Sequence, residues 1–350
     1  MDVIVLVLAF LIILLGAELF TNGIEWFGRK LGLAEGAVGS VLAAVGTALP
    51  ETMIPIIAIL FATGENAHEV GVGAILGAPF MLATLAMFVT GVAVLYVARK
   101  RPSADVMLVD THVLSHDIRY FVVAYAIAIG AAFLPLEPVW LKWIVAVILL
   151  GIYAWYVKAH FEADPDVDAE DLAPLRFHRM DRNGHRADPA VPRLRIVNVQ
   201  VLAALALIVL GAVFFVNAVE DLAHMLGVDE VLLALVIAPI ATELPEKFNS
   251  IIWVRGGKDT LAMGNITGAM VFQSTIPTIV ALVFASSAWV ATEGSYVAFA
   301  SAGIACLSVA AIFIPMSRSG KLHGRGLLVG GAFYVVYLAL VIAVIAGVVG

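Results

Sequence analysis

Charge is scarce in this chain. Asp, Glu, Lys and Arg make up 13% of it against 62% hydrophobic residues, and the mean hydropathy is +1.02. A soluble domain of 350 residues carries far more charge than that, so a water-soluble enzyme or binding module is excluded. Cysteine is nearly absent. The single Cys306 lies in an apolar run, which rules out a disulfide within the chain and reads as a buried thiol. No basic stripe with interleaved aromatics occurs, so nucleic acid is not an expected partner. No Ser/His, metal-binding or nucleotide motif appears, so no enzyme activity and no cofactor are expected. The eight histidines fall in or near loops, and no transition-metal site is expected from them. The first apolar run, from Val3, lacks a basic leading segment and an obvious cleavage site, and is expected to be a spanning helix.

What the chain has instead is apolar runs of roughly 20 residues, each long enough to cross a bilayer as a helix. They predict an all-α polytopic membrane protein with spans at 3–26, 36–62, 70–98, 118–135, 139–160, 196–223, 229–254, 260–285, 292–315 and 326–348. One long polar segment, 161–195, is rich in Asp, Arg and Pro and is expected to be a mobile linker. Its acidic run "DPDVDAED" (164–171) lacks the central Gly and terminal Glu of a Ca2+ loop and reads as a solvated stretch.

Lys and Arg sort to alternate loops: Arg29 and Lys30, then Arg99, Lys100, Arg101 and Arg119, then the linker with Lys158 before it, then Arg255 and Lys258, then Arg318, Lys321 and Arg325. Lys142 is the exception. The basic loops are therefore expected in the cytoplasm and both termini outside it. Trp140, Trp143 and Trp289 then fall near the outer interface, and Trp26, Trp155 and Trp253 near the inner one, as an aromatic belt.

The chain also repeats itself. Shifted by 195 residues, "LGAELFTNGIEWFGRKLGLAEG" (15–36) lies over "LGAVFFVNAVEDLAHMLGVDEV" (210–231) without a gap. Gly16, Phe20, Asn22, Glu25, Leu31, Gly32 and Glu35 meet identical residues at 211, 215, 217, 220, 226, 227 and 230. The same shift lays Thr47, Leu49, Pro50 and Glu51 over Thr242, Leu244, Pro245 and Glu246. A half with five spans is odd in number, so the second half enters from the opposite side. The expectation is two inverted five-helix repeats, 1–160 and 196–350, joined by the 161–195 linker. Matching Gly/Pro-broken spans in such repeats mark a transporter, with its site where the breaks meet near the midplane.

Glu51 and Glu246 lie midway along their spans. A carboxylate at that depth costs several kcal/mol unless it faces a partner or water. Pro50 and Pro245 free carbonyls around Gly46–Thr47 and Ala241–Thr242. Together these groups make an all-oxygen site suited to Ca2+, or to Na+ where the charge is lower. Glu243 and Lys247 stand four apart, share a helix face and can pair. Inside a membrane such a group can also carry protons. Asn22, Glu18 and Glu25, with Asn217 and Glu220, are candidates for a gate lining. Asn265 is a candidate to bond the second break.

"GTALPE" (46–51) and "ATELPE" (241–246) resemble the repeated element of the calcium/cation antiporter superfamily, most closely its sodium/calcium exchanger branch. "AELFTNG" (17–23) is similar to that family's first span. The resemblance implies alternating access, with Glu51 and Glu246 as divalent-cation ligands and Thr47 and Thr242 adding backbone oxygens. The third- and eighth-span ligand positions of the family fall on Ala78, Leu82, Ala269 and Gln273, of which Gln273 alone keeps a side-chain oxygen. Glu243 replaces a usual Ser. The expected function is antiport of Ca2+ or a similar divalent cation against Na+ or H+, both coupling ions staying open. A monovalent Na+/H+ exchanger and a non-transporting membrane scaffold are the alternatives. The expected partners are inorganic cations and the lipid bilayer.

Overall fold

The structure is a computed structural model. It describes residues 2–30, 48–61, 67–101, 103–163, 173–180, 192–227, 250–251, 253–257, 259–292 and 295–345. They are mostly helical: α1 (Asp2–Lys30), α2 (Leu49–Leu60), α3 (Ala67–Met81), a π-turn Leu82–Ala86, α4 (Met87–Val97), α5 (Thr111–Gly130), α6 (Trp140–Ala163), α7 (Leu194–Leu226), α8 (Asp259–Phe284), α9 (Tyr296–Ser319), the single turn α10 (Gly324–Leu327) and α11 (Val329–Ile345). Seven segments among the described residues are long and apolar enough to cross a bilayer: Ala67–Lys100, Thr111–Phe133, Trp140–Ala159, Leu194–Leu226, Ala262–Phe284, Tyr296–Ser319 and Gly324–Val344. About half of the expected span 36–62 (48–61) is described, and the expected span 229–254 lies largely outside the described residues.

Burial separates inner from outer helices. The α3–α4 segment and α8 are covered over most of their length, and one large apolar core runs from them through α5, α9 and α11. Helix α6 instead exposes Trp143, Ile144, Val147 and Trp155, the surface expected of a helix that faces lipid. Helices α1 and α7 pack against each other and, through a second apolar core, onto α2 and α3. Gly16 lets Ile208 and Ala204 approach, so that a Cβ at Gly16 would lie 2.7 Å from Ile208 Cγ1. Gly211 does the same for Ile13 and Ala9, at 2.7 Å from Ile13 Cγ1. Each contact is the other displaced by 195 residues.

Three differences from the sequence reading have local causes. The fourth span begins at Thr111, not at 118, because Asp110 caps it. Its Oδ1 accepts from the backbone N–H of His112 (2.8 Å) and Val113 (3.2 Å). Trp289 and Trp26 are buried and so stand outside the aromatic belt; Trp289 donates to Ala128 O at 3.0 Å and Trp26 to Ala173 O at 2.9 Å. Lys142 is fully buried, and its Nζ donates to Ser286 O (2.6 Å) and Trp289 O (2.9 Å). It is a structural cation satisfying the carbonyls just past the C-terminal end of α8.

The linker also departs from expectation. Its described part carries a 3-10 turn, Arg176–Met180, docked on α1 and α7. Asn22 and Gln200 bond each other, Nε2 to Oδ1 at 3.0 Å. Asn22 donates to Ala173 O (3.2 Å) and accepts from Arg176 N (3.0 Å), while Gln200 accepts from Phe177 N (2.8 Å). Leu175 is buried against Trp26 and Val197, and the Arg176 guanidinium pairs with Glu18 at 2.7 Å. At the same end of the molecule, a short antiparallel ladder joins β1 (Val106–Met107) to β2 (Leu322–His323). Beside it the buried Asp259 pairs with Arg101 and accepts from Leu108 N at 2.8 Å.

Candidate functional site

Helix α2 starts at Leu49, so Pro50 stands in its first turn. There the missing N–H would have no helical partner in any case. Pro50 therefore opens α2 rather than kinking it. Glu51 follows in that first turn and is 4% exposed. The exposed backbone N–H groups at a helix N-terminus favour a carboxylate in this position. Four residues on, Pro55 removes the N–H that an α-helix would offer to the carbonyl of Glu51.

Gln273 of α8 reaches this turn. It is 1% exposed, and its Nε2 donates to Ala48 O at 3.2 Å. Ala48 O also accepts from Thr52 Oγ1 (2.7 Å) and Thr52 N (3.2 Å), so three donors converge on the residue that precedes α2. Helix α8 repeats the proline device: Pro277, four residues past Gln273, removes the donor for the Gln273 carbonyl. Around Gln273, α8 buries Ser274, Thr275 and Thr278. Ser274 and Thr275 bond back to Val271 O at 3.0 and 2.8 Å, which satisfies their hydroxyls without a partner helix.

The third helix supplies shape but no ligand. Ala78 is buried, and Leu82 and Ala269 of α8 belong to the main core. The π-turn begins at Leu82, and π-turns inside helices occur often at functional sites. Its irregular backbone is bonded from outside, Ser308 Oγ of α9 donating to Ala83 O at 2.6 Å.

Of the residues singled out in the sequence, the structure brings Gln273 to the helix that carries Glu51. Thr47, Thr242, Glu243, Glu246 and Lys247 lie outside the described residues, as do the side chains of Glu25 and Glu220. Asn22 and Glu18 contact the linker, which corrects their reading as a gate lining. Asn265 lies in the second turn of α8. Asp117 was missed. It is 1% exposed and accepts from Tyr156 OH at 3.1 Å and Thr267 Oγ1 at 2.6 Å. The signal for it was the Asp110 cap, which places Asp117 inside a helix and not in a loop. His112 and His116, read from the sequence as loop residues, instead lie one turn apart on α5 at H-x-x-x-H spacing. Among the described residues no group of three or more His, Cys, Asp and Glu gathers as a metal cluster.

The sequence matches the family described as "Sodium/calcium exchanger protein" over residues 1–161 and 197–345, nearly the whole chain apart from the linker. The chain belongs to the sodium/calcium exchanger family. Among curated proteins this exchanger is similar to CaxA, a candidate antiporter of Alkalimonas amylolytica, at 25% identity over 77% of the chain and 76% of that protein. The inner membrane protein YrbG of Escherichia coli K12 matches at 24% identity, over 77% of the chain and 76% of YrbG. Among solved structures, the exchanger shares its fold with the H+/Ca2+ exchanger CAX, with a TM-score of 0.69 at 18% identity over 97% of this chain and 82% of that one. It also shares the fold of the sodium-calcium exchanger NCX_Mj, with a TM-score of 0.58 at 16% identity over 97% of both chains. The family is one of multi-pass membrane exchangers of inorganic cations, and the site lies within its matched region.

Proposed function

We propose that this exchanger is a secondary antiporter that trades Ca2+, or a similar divalent cation, for H+ or Na+ by alternating access, with Glu51 and Glu246 as the charged ligands. The observation that carries the reading is the Gln273–Ala48 bond. It sets a buried side-chain amide of α8 against the turn that holds a buried carboxylate. An amide that donates through its nitrogen keeps its oxygen as an acceptor for a cation. Carbonyls deprived of donors by Pro55 and Pro277 add hard oxygen ligands of the kind Ca2+ takes. In the part outside the described residues, Thr47, Thr242 and Glu243 join the site, and Lys247 offsets the charge of Glu243.

The reading includes ten spans arranged as two inverted repeats, 1–160 and 196–350. The reciprocal Gly16–Ile208 and Gly211–Ile13 contacts support it. Both termini are outside the cytoplasm and the 161–195 linker is within it. The coupling ion that the site favours is H+. Ala78, Leu82 and Ala269 offer no side-chain oxygen for Na+ and are buried.

The test is Ca2+ flux in sealed liposomes under an imposed pH gradient and then a Na+ gradient, with Glu51→Gln and Glu246→Gln beside the wild type. Flux driven by one gradient and lost in both variants is expected. Na+ movement driven by a pH gradient without Ca2+ movement would instead establish monovalent exchange, and indifference of the flux to both variants would sink the site.

A further inference from the structure

Among the described residues, the buried carboxylate of Asp117 is a charged group of the interior that the cation site leaves unused. Asp117 lies six residues past the start of α5, about 9 Å along the helix from its linker-side end. A carboxylate there is costly unless it is well bonded. Its bonds are unusual in kind. Among the described residues no Lys or Arg pairs with it; both partners are hydroxyls, Tyr156 from α6 and Thr267 from α8.

Hydroxyls serve either charge state of a carboxyl group. With Asp117 ionised, Tyr156 donates to Oδ1 and Thr267 to Oδ2, at 3.1 and 2.6 Å. With Asp117 neutral, Oδ2–H donates to Thr267 Oγ1. Thr267 then turns its own proton to Met263 O, which already lies 3.1 Å away. Tyr156 still donates to Oδ1. No buried donor or acceptor of the triad loses its partner in either state, so the fold does not select one by orphaning a hydrogen bond. A carboxylate kept for structure alone is normally locked by an Arg, a Lys or backbone N–H groups, which hold it ionised.

We propose that Asp117 is a proton-binding site, separate from the cation site, through which the exchanger takes up and releases the counter-transported H+ on the linker side. The proposal rests on the exchange reading given above. Uptake forms the Oδ2–H bond with a proton delivered by hydronium, leaving water, and release reverses it.

Two features surround the site. His116, half-buried, precedes Asp117 on α5. The rings of His116, Tyr120 and Tyr156 pack at 4.6, 5.5 and 6.2 Å, and Tyr153 adjoins Tyr156 from the same helix. Helix α8 faces the carboxyl with Thr267. The next ionisable residue of α8, Asp259, is held by Arg101 two turns away. Thr267 and Gln273 share α8, six residues and about 9 Å apart along its axis. Reversal of the Thr267 bond therefore acts on the helix that supplies the cation ligand.

Asp117→Asn tests this, because the amide reproduces the neutral form: Nδ2 donates to Thr267 and Oδ1 accepts from Tyr156. The full chain in lipid vesicles is titrated by infrared difference spectroscopy, with Glu51→Gln as the comparison. A protonated-carboxyl band that titrates with pH is expected in the wild type and in Glu51→Gln and lost in Asp117→Asn; Thr267→Val should shift its midpoint. In flux assays Asp117→Asn should lose the pH-gradient-driven Ca2+ movement while keeping Ca2+ binding. Survival of the band in Asp117→Asn, or unchanged proton movement per Ca2+, overturns the proposal. Should Glu51→Gln leave flux intact, the cation-site reading fails while the infrared result still decides Asp117.

Discussion

Replacing Gln273 by Leu isolates the contact on which the cation site stands. Leu occupies nearly the same volume, so the apolar neighbours of α8 keep their packing. The substitution removes the Nε2 donor to Ala48 O. That carbonyl retains Thr52 N and Thr52 Oγ1, so no buried acceptor is orphaned. The loss is one neutral hydrogen bond, about 0.5–1.5 kcal/mol. Thermal unfolding in detergent should therefore move by no more than a few degrees. Cation handling should suffer more. An oxygen ligand disappears while the Glu51 carboxylate stays, and a rise of about tenfold in half-saturating Ca2+ is expected, equivalent to ~1.4 kcal/mol. The assay is vesicle uptake across a Ca2+ concentration series, beside thermal unfolding of the same preparation. An unchanged half-saturation would refute the claim that Gln273 faces the ion. A collapse in stability would refute the claim that Ala48 stays satisfied.

Substitutions at Lys142, Gly16 and Gly211 test the frame around the site. Lys142→Met removes both bonds to the carbonyls of Ser286 and Trp289; unfolding in a denaturing detergent series should show a loss of about 2–5 kcal/mol, whereas a neutral result would mean that Lys142 reaches water. Gly16→Ala and Gly211→Ala should each destabilise the α1–α7 pair by about 1–3 kcal/mol, with Ile208→Ala and Ile13→Ala relieving their respective partners; a large effect at one glycine and none at the other, read by the same unfolding assay, would break the two-fold relation.

The membrane class and the positions of most described spans were legible in the chain because each depends on local properties. A run of apolar residues long enough to cross a bilayer declares a span whatever it packs against, and an ungapped 195-residue shift declares a repeat without any structure. Gln273 was legible because its position within "GNITGAMVFQ" resembles a ligand position of the family. Several of the errors concern polar groups at helix margins. Trp26 and Trp289 looked like interface residues and Lys142 like a stray basic loop residue by their place in the sequence, yet each is buried and bonded to a carbonyl on another segment. Asn22 looked like a gate residue and instead holds part of the linker.

The sequence by itself determined how many apolar runs there are, how the two halves correspond and which oxygen-bearing residues each broken span offers. Only the tertiary structure decided which buried polar groups meet. Asp117, Tyr156 and Thr267 come from three helices, and Gln273 and Ala48 are 225 residues apart. Helical periodicity fixes the face a residue occupies on its own helix. Whether that face meets a hydroxyl, a carbonyl or lipid depends on the rotation and crossing of neighbouring helices. Those are set by close approaches, such as those of Gly16 and Gly211, that no local pattern specifies.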